Sequence, residues 1–129
     1  MVVTAPANKL SPSCRKISQL LSRIGDKWSV LVIMTLLRKP SRFNELKRDI
    51  DGISQRMLTL TLRNLERDGL VKRTVTASIP PRVDYELTKL GGSLSASVQA
   101  LGGWAFEHFE EIDAAQARWD AGERADVRV

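Results

Sequence analysis

The sequence predicts a mainly α protein with a small β-hairpin, an α+β chain folded as a single domain over residues 1–129. Three observations support this fold class. Apolar residues recur at helical spacing up to residue 68, a short β-rich stretch interrupts them between residues 70 and 88, and helical spacing then returns. A chain of 129 residues can bury roughly two thirds of its unfolded surface in one core.

The first elements are an N-terminal arm and two helices. Residues 1–14 contain two prolines and few apolar groups, which predicts an arm. Helical spacing begins at Ile17, and Gly25 ends the first helix. Asp26 is placed to cap a second helix, Lys27–Leu37, by accepting hydrogen bonds from its first amides. Because this helix has almost no polar face, we expect it at the centre of the core.

Residues 41–68 predict two helices joined by a tight turn. Ser41 is expected to cap the third helix. Gly52 lies in the turn that follows, where a residue without a side chain can adopt a positive φ. Ser54 is expected to cap a fourth helix that runs to about Asp68.

The remaining elements are a hairpin and a long helix. Residues 70–88 alternate with a period of two around Pro80-Pro81, which predicts a hairpin with a stiff tip. Residues 92–119 return to helical spacing. A short turn between the third and fourth helices, followed by a hairpin, is typical of a winged helix-turn-helix. Residues 41–68 would form the helix-turn-helix and residues 70–88 the wing.

The composition excludes several functional classes. No run of eighteen apolar residues is present, and the N-terminus lacks the apolar centre of a signal peptide, so we expect a cytoplasmic protein with no membrane partner. One cysteine excludes an internal disulfide framework and a cysteine-rich zinc site. The one histidine, His108, is expected on a helix surface. We therefore expect no metal, no cofactor and no enzyme activity, because no nucleophile-base pair, paired carboxylates or phosphate loop is visible.

The charge is distributed unevenly along the chain. The net charge of +5 comes from 20 basic and 15 acidic residues, and residues 90–129 contain seven of the acids but only three of the bases. A cationic body with an acidic end indicates a polyanionic partner for the body and a different role for the end.

The fourth helix has one apolar and one basic face. A wheel at about 100° per residue places the leucines at 58, 62 and 65 toward the core. Arg56, Arg63 and Arg67 lie almost opposite, beside Thr59, and arginine can donate two hydrogen bonds to a guanine edge or to phosphate. The alternative is a solvated helix with local ion pairs, for which only Glu66 is well spaced.

Three further features add to this prediction. Ser54 and Gln55 at the helix start are suited to a phosphate or an adenine edge. Leu60 lies among the arginines, where it either contacts a thymine methyl group or packs under the wing. The wing itself carries basic residues expected to contact phosphate, namely Lys72, Arg73 and Arg82. The alternative for the wing is a two-stranded lid over the core.

The last helix has more apolar surface than one small domain covers. An apolar stripe recurs at spacings of three and four, with Trp104 outside it; the predicted interface is Leu94, Val98, Leu101, Trp104, Ala105, Phe109 and Ile112. A second copy of the chain in a two-fold dimer would bury it. The alternative is a helix that docks within its own chain.

Several motifs follow one another between residues 14 and 94. They are Gly25-Asp26-Lys27-Trp28, Arg42-Phe43-Asn44-Glu45-Leu46, Gly52-Ile53-Ser54, Met57-Leu58-Thr59, Leu62-Arg63-Asn64-Leu65-Glu66, Gly69-Leu70-Val71 and the run from Pro80 to Thr88. Together they resemble the HxlR-type bacterial transcription regulators, relatives of the MarR-like winged-helix proteins. The resemblance implies a homodimeric, sequence-specific DNA-binding protein that dimerises through its N-terminal arm, first helix and C-terminal helix.

The resemblance also implies roles for individual residues. Base contacts would come from four residues of the fourth helix, namely Gln55, Arg56, Thr59 and Arg63. Ser54 and Arg42 would contact phosphate, and Arg82 would lie at the wing.

Cys14 is expected just before the first helix, beside Arg15 and Lys16. Helix N-termini and neighbouring cations both stabilise a thiolate. Many HxlR-like regulators carry a cysteine here that senses oxidants or electrophiles, which makes Cys14 a redox-sensing candidate. The alternative is a plain, partly buried thiol. With one cysteine in the chain, a disulfide must join two chains or include a small thiol.

Two functions follow from the sequence. The first is a homodimeric transcription regulator that binds double-stranded DNA at a pseudo-palindrome with half-sites ~34 Å apart. The alternative is a winged-helix interaction module that binds an acidic protein, or nucleic acid without sequence specificity. The sequence does not indicate a small-molecule effector.

Overall fold

The computed structural model describes residues 12–124, and its elements follow the predicted order. They are α1 Pro12–Ile24, α2 Lys27–Arg38, β1 Ser41–Arg42, α3 Phe43–Asp49, α4 Gln55–Arg67, β2 Val71–Thr76, β3 Arg82–Leu87 and α5 Lys89–Asp120. The chain divides into two compact units, one up to Ser95 and one from Ala96 onward. The protein is mainly helical with a small antiparallel sheet, and α3, α4 and the β2–β3 hairpin form a winged helix-turn-helix.

The core of the first unit forms around α2 and α4, as predicted. Val32 and Ile33 of α2 are fully buried, and so are Leu58 and Leu65 of α4. Burial of each such side chain contributes ~1.5–3 kcal/mol to folding. The prediction that the apolar stripe of α4 faces the core is therefore confirmed, and this orientation leaves the opposite face of α4 to solvent.

Two predicted helix caps are present. The Asp26 carboxylate accepts hydrogen bonds from the amides of Trp28 and Ser29, each at 3.2 Å, at the start of α2. The Ser54 hydroxyl accepts from the Met57 amide at 3.0 Å, at the start of α4. Such caps satisfy amides that have no partner within the helix.

The third predicted cap was wrong, because Ser41 belongs to a strand. Ser41 and Arg42 form β1, which pairs antiparallel with β3 so that Ser41 lies opposite Tyr85. The sheet therefore has three strands in the order β1-β3-β2, not the two of a simple hairpin. Arg42 is the residue before α3, and its amide donates to the Glu45 carboxylate at 2.9 Å.

The first helix begins earlier than predicted. α1 starts at Pro12, and proline suits the first helical position because its missing N–H would have no partner there. Cys14 therefore lies within the first turn of α1 and not before the helix. None of the α1 side chains is buried. Residues 1–11 of the predicted arm lie outside the described residues.

The last helix also begins earlier, at Lys89 instead of residue 92. The Thr88 hydroxyl accepts from the Gly91 amide at 3.0 Å and donates to the Gly69 carbonyl at 2.6 Å. These bonds fix the start of α5 beside the end of α4. A Cβ on Gly91 would lie 2.1 Å from the Leu70 carbonyl oxygen, so only glycine fits this position.

In the second unit α5 continues without a break to Asp120. Trp104 stacks on His108, with ring centroids 4.7 Å apart, and the His108 Nδ1 is 2.8 Å from the Trp104 carbonyl oxygen. Several large apolar side chains are exposed, namely Leu101, Trp104, Phe106, Phe109, Ile112 and Trp119. Within residues 12–124, no helix is both long enough and apolar enough to cross a membrane.

Candidate nucleic-acid interface

The exposed face of α4 begins at its N-terminus and carries most of the predicted base-contacting residues. Gln55, Arg56 and Arg63 are exposed, and Thr59 between them is half-buried. The Thr59 hydroxyl donates to the Gln55 carbonyl at 2.9 Å, which leaves its oxygen lone pairs as acceptors. The face therefore offers arginine donors, one amide and one hydroxyl acceptor within about two helical turns.

A groove of 490 Å³ lies between this face and the sheet, and its lining contains both predicted and unpredicted residues. The lining residues are Phe43, Gln55, Thr59, Arg63, Glu66, Arg73 and Tyr85. Arg73 and Tyr85 stand opposite each other in the β2–β3 register and so lie on one face of the sheet. The sheet thus adds a basic side chain, Arg73, to the α4 face.

Lys72 lies on the other face of the sheet. It precedes Arg73 on β2, and successive strand residues point to opposite faces. In the register Lys72 stands opposite Glu86, a carboxylate. The sequence grouped Lys72 with Arg73, and the structure separates them.

Arg82 is paired within the wing. Its Nε donates to the Asp84 carboxylate, with an N–O distance of 3.0 Å to Oδ2. Arg42 stands opposite Asp84 in the β1–β3 register. Asp84 therefore offsets part of the charge of Arg82, one of the residues predicted to contact phosphate.

Leu60 and Arg67 lie on the side of α4 that faces α1. Leu60 is exposed, and together with Arg67, Asn64 and residues of α1 it lines a polar groove of 760 Å³. Leu60 also borders the surface formed by Gln55 and Arg56. The interpretation that Leu60 packs under the wing is therefore not supported. Arg67 does not line the α4–sheet groove, whereas Arg63 does.

Three residues of the site were not predicted as site residues. Phe43, Glu66 and Tyr85 line the α4–sheet groove together with Arg63 and Arg73. The alternation of β3 contains the signal for Tyr85, because it places this residue on the same face as Leu87. For Glu66 the helical spacing predicts only an ion pair on a solvated helix face.

The electrostatics of the site include one shifted carboxyl group. The Arg42 backbone N–H donates to Glu45, and this bond, helped by Lys39 and Arg48, lowers the pKa of Glu45. The charged carboxylate therefore caps α3 at neutral pH, next to the phosphate-contacting candidate Arg42. Within the described part of the chain, no group of three or more His, Cys, Asp and Glu residues is placed to hold a metal ion.

The predicted interface residues of α5 fall into two groups. Leu94 packs against the core of the first unit, and Val98 is buried. The others are exposed; they are Leu101, Trp104, Ala105, Phe109 and Ile112. Only this second group offers surface to a partner.

The helix-turn-helix, the basic α4 face and the wing together point to one family. Residues 23–113 match the family model described as HxlR-like helix-turn-helix. The chain belongs to the HxlR-like helix-turn-helix family. This HxlR-like chain is a DNA-binding transcription regulator of the winged helix-turn-helix class, and no catalytic family is indicated for it.

Known proteins similar to this HxlR-like chain are also regulators. The uncharacterized HTH-type transcriptional regulator YdeP of Bacillus subtilis is 39% identical over 97 residues, which cover 75% of this chain and 76% of YdeP. Among solved structures, a transcriptional regulator ytfH from Salmonella typhimurium superposes with a TM-score of 0.76 at 31% identity, over 89% of this chain and 100% of that one. The redox regulator HypR in its reduced form superposes with a TM-score of 0.71 at 36% identity, over 77% of this chain and 98% of HypR.

Proposed function

We propose that this regulator acts as a homodimer on a pseudo-palindromic operator. Each α4 lies in a major groove, and the two half-sites are about one helical turn (~34 Å) apart. The observation that carries the proposal is the outward face of α4. Its buried leucine stripe turns Gln55, Arg56, Thr59 and Arg63 toward solvent.

The side-chain chemistry of this face fits base readout. Arg56 and Arg63 each present a two-pronged donor for the O6 and N7 atoms of guanine, and Gln55 offers a donor and an acceptor to adenine. Arg73, across the groove from Arg63, adds a cation for the phosphate backbone. Ser54, whose hydroxyl caps α4, and Arg42, which precedes α3, are the further phosphate contacts.

The exposed apolar side chains of α5 support the dimer. Phe109 and Ile112 lie on one stripe with Leu101 and Ala105, and these side chains are exposed in the single chain. Burial of such a stripe against its own copy gives a self-complementary interface, which a two-fold dimer requires. α1 adds a second uncovered apolar stripe, since none of its side chains is buried.

DNA selection tests the readout. Operator sequences are recovered from a random duplex pool with the parent protein, and affinities for operator and scrambled duplexes are then measured. Arg56→Ala and Arg63→Ala should each lose ~1–3 kcal/mol of discrimination per lost base contact. Arg48→Ala removes the same charge from α3, where the side chain lines neither groove beside the α4 face, and should keep the discrimination.

Two outcomes would contradict the proposal. If the arginine variants discriminate as the parent does, α4 does not read bases. If the parent itself prefers no sequence, the alternative function, an interaction module that binds acidic protein or nucleic acid without specificity, replaces the proposed one.

The dimer is tested on α5. Phe109→Glu places a charge on the stripe and should shift the sedimentation coefficient from dimer to monomer at micromolar concentration. Ala114→Glu is the control, because Ala114 is exposed and lies on the side of α5 away from the stripe. Equal sedimentation of both variants with the parent would remove α5 from the interface.

We further propose that Cys14 makes DNA binding responsive to oxidants. The similarity to HypR, a redox regulator, supports this role. Cys14 is partly buried in the first turn of α1 and shares a helix face with Ile17 and Leu21, at i+3 and i+7. If this face joins the dimer, the two copies of Cys14 approach each other.

The oxidation has a simple balance. Hydrogen peroxide oxidises two Cys14 thiols, one from each protomer, to one disulfide, and the peroxide and both thiol protons leave as two water molecules. DNA affinity is measured before and after peroxide, with a non-reducing gel to detect the covalent dimer. Cys14→Ser should abolish both responses, whereas an equal change in affinity in parent and variant would exclude Cys14.

A further inference from the structure

The tip of the wing is apolar and carries no charge. It consists of residues 77–81, Ala-Ser-Ile-Pro-Pro, between the last paired residues of β2 and β3. The Ile79 side chain is fully exposed. The Ser78 hydroxyl donates to the Pro80 carbonyl at 2.6 Å, and the two proline rings restrict φ. The tip is therefore stiff and presents an isoleucine to solvent.

The strands below the tip offer little net positive charge. Arg82 is bound to Asp84 at 3.0 Å, and Lys72 stands opposite Glu86. Phosphate attraction by the wing is correspondingly reduced, because two of the three cations on its strands have a carboxylate close to them, and the third, Arg73, lies beside α4 and away from the tip. An exposed apolar tip above a nearly neutral stem does not suit a purely electrostatic contact with DNA.

The tip adjoins the surface that reads DNA in the proposed function. Ser78, Pro80 and Pro81 line a groove of 630 Å³ together with Arg42 and Asn44. Phe43 lines both this groove and the α4–sheet groove. The α4 face, the start of α3 and the wing tip thus form one continuous surface, with the tip at its far end.

We propose that Ile79 enters the minor groove beside each half-site and makes an apolar contact there. Apolar side chains, isoleucine and proline among them, are the groups that proteins insert into the minor groove. The contact prefers A·T pairs, because the 2-amino group of guanine projects from the floor of the minor groove where the side chain would lie. This inference rests on the proposed function and adds a second, uncharged determinant of operator choice.

The experiment compares Ile79→Ala with the parent on a selected operator. Leu90→Ala is the matched control, since Leu90 is an exposed apolar residue in the first turn of α5. Affinities are measured from 50 to 300 mM salt on three operator versions. The base pair under the wing is A·T, G·C or inosine·C, and inosine lacks the 2-amino group but keeps the other groove-edge atoms of guanine.

The parent should bind the A·T and inosine·C operators alike and the G·C operator about tenfold more weakly. Ile79→Ala should lose about tenfold on the A·T operator, consistent with the loss of most of one buried apolar side chain. It should bind all three operators equally and keep the salt dependence of the parent, because no phosphate contact is lost. Leu90→Ala should match the parent throughout.

Two results would overturn the inference. One is parental affinity of Ile79→Ala on every operator, and the other is a G·C penalty in the parent that inosine does not relieve. In both cases discrimination between operator and scrambled duplexes, and its loss in Arg56→Ala, would still support the proposed function. If the parent itself did not discriminate between operator and scrambled duplexes, both the proposed function and the inference on Ile79 would be refuted.

Discussion

Arg23, near the end of α1, binds Asp68 at the end of α4 with a distance of 2.5 Å between Nη1 and Oδ1. The pair spans 45 residues of sequence and is largely shielded from water, with the Asp68 side chain 13% exposed. Asp68 is also the C-terminal cap of α4, where its amide donates to the Asn64 carbonyl. The helix that carries Cys14 is thus joined directly to the end of the helix that carries the DNA-contacting face.

Loss of this ion pair is expected to destabilise the protein. Arg23→Ala leaves a shielded carboxylate without its cation, and should lower the free energy of unfolding by ~1–3 kcal/mol. Lys16→Ala on the same helix removes an exposed cation and should change it by less than ~0.5 kcal/mol. Urea denaturation followed by circular dichroism measures both; equal midpoints for the two variants would show that the pair contributes nothing.

Two adjacent glycines of α5 should respond in opposite ways to alanine. Gly91→Ala places a Cβ 2.1 Å from the Leu70 carbonyl oxygen, a backbone atom that cannot move alone, and should cost ~2–3 kcal/mol. A Cβ on Gly92 would have no atom within 4 Å, so Gly92→Ala should raise the free energy of unfolding by up to ~1 kcal/mol through better helix propensity. Thermal unfolding distinguishes them, and a stabilised Gly91→Ala would contradict the close approach of α5 to the end of α4.

Glu45 should make stability depend on pH in the acidic range. Its folded pKa is lowered, chiefly by the Arg42 backbone N–H, so the charged form stabilises the fold above the ordinary glutamate pKa. This stabilisation is lost as the pH falls through the folded value, since protonation removes the charge-assisted cap. Chemical denaturation between pH 7 and pH 3 should show a shallower acid-side decline for Glu45→Gln than for the parent. Parallel curves would exclude Glu45 as a source of the decline.

Arg73 and Lys72 should differ in their contribution to DNA binding, although they are neighbours in sequence. Arg73 lines the groove beside α4, whereas Lys72 lies on the opposite face of the sheet. Arg73→Ala should therefore reduce the slope of log affinity against log salt by ~0.9, the value for one phosphate contact. Lys72→Ala should leave this slope unchanged, and the reverse order would place DNA on the other face of the wing.

The helices and the orientation of α4 were predictable from sequence. The leucines at 58, 62 and 65 repeat at helical spacing, and the core needs an apolar face, so the arginines at 56 and 63 had to face outward. The caps at Asp26 and Ser54 were also predictable, because a cap is a local interaction that acts on amides two or three residues away. The family resemblance, read from ordered motifs, is confirmed by the match over residues 23–113.

Other features depend on residues that are distant in sequence, and only the tertiary structure decides them. Ser41 enters a strand because β3, more than forty residues later, supplies its partner at Tyr85. The register of β2 with β3 directs Arg73 toward α4 and Lys72 away from it. Spacing along a chain encodes which residues share a face of one element. Spacing does not encode which other element that face will contact, because the packing of the whole core determines this.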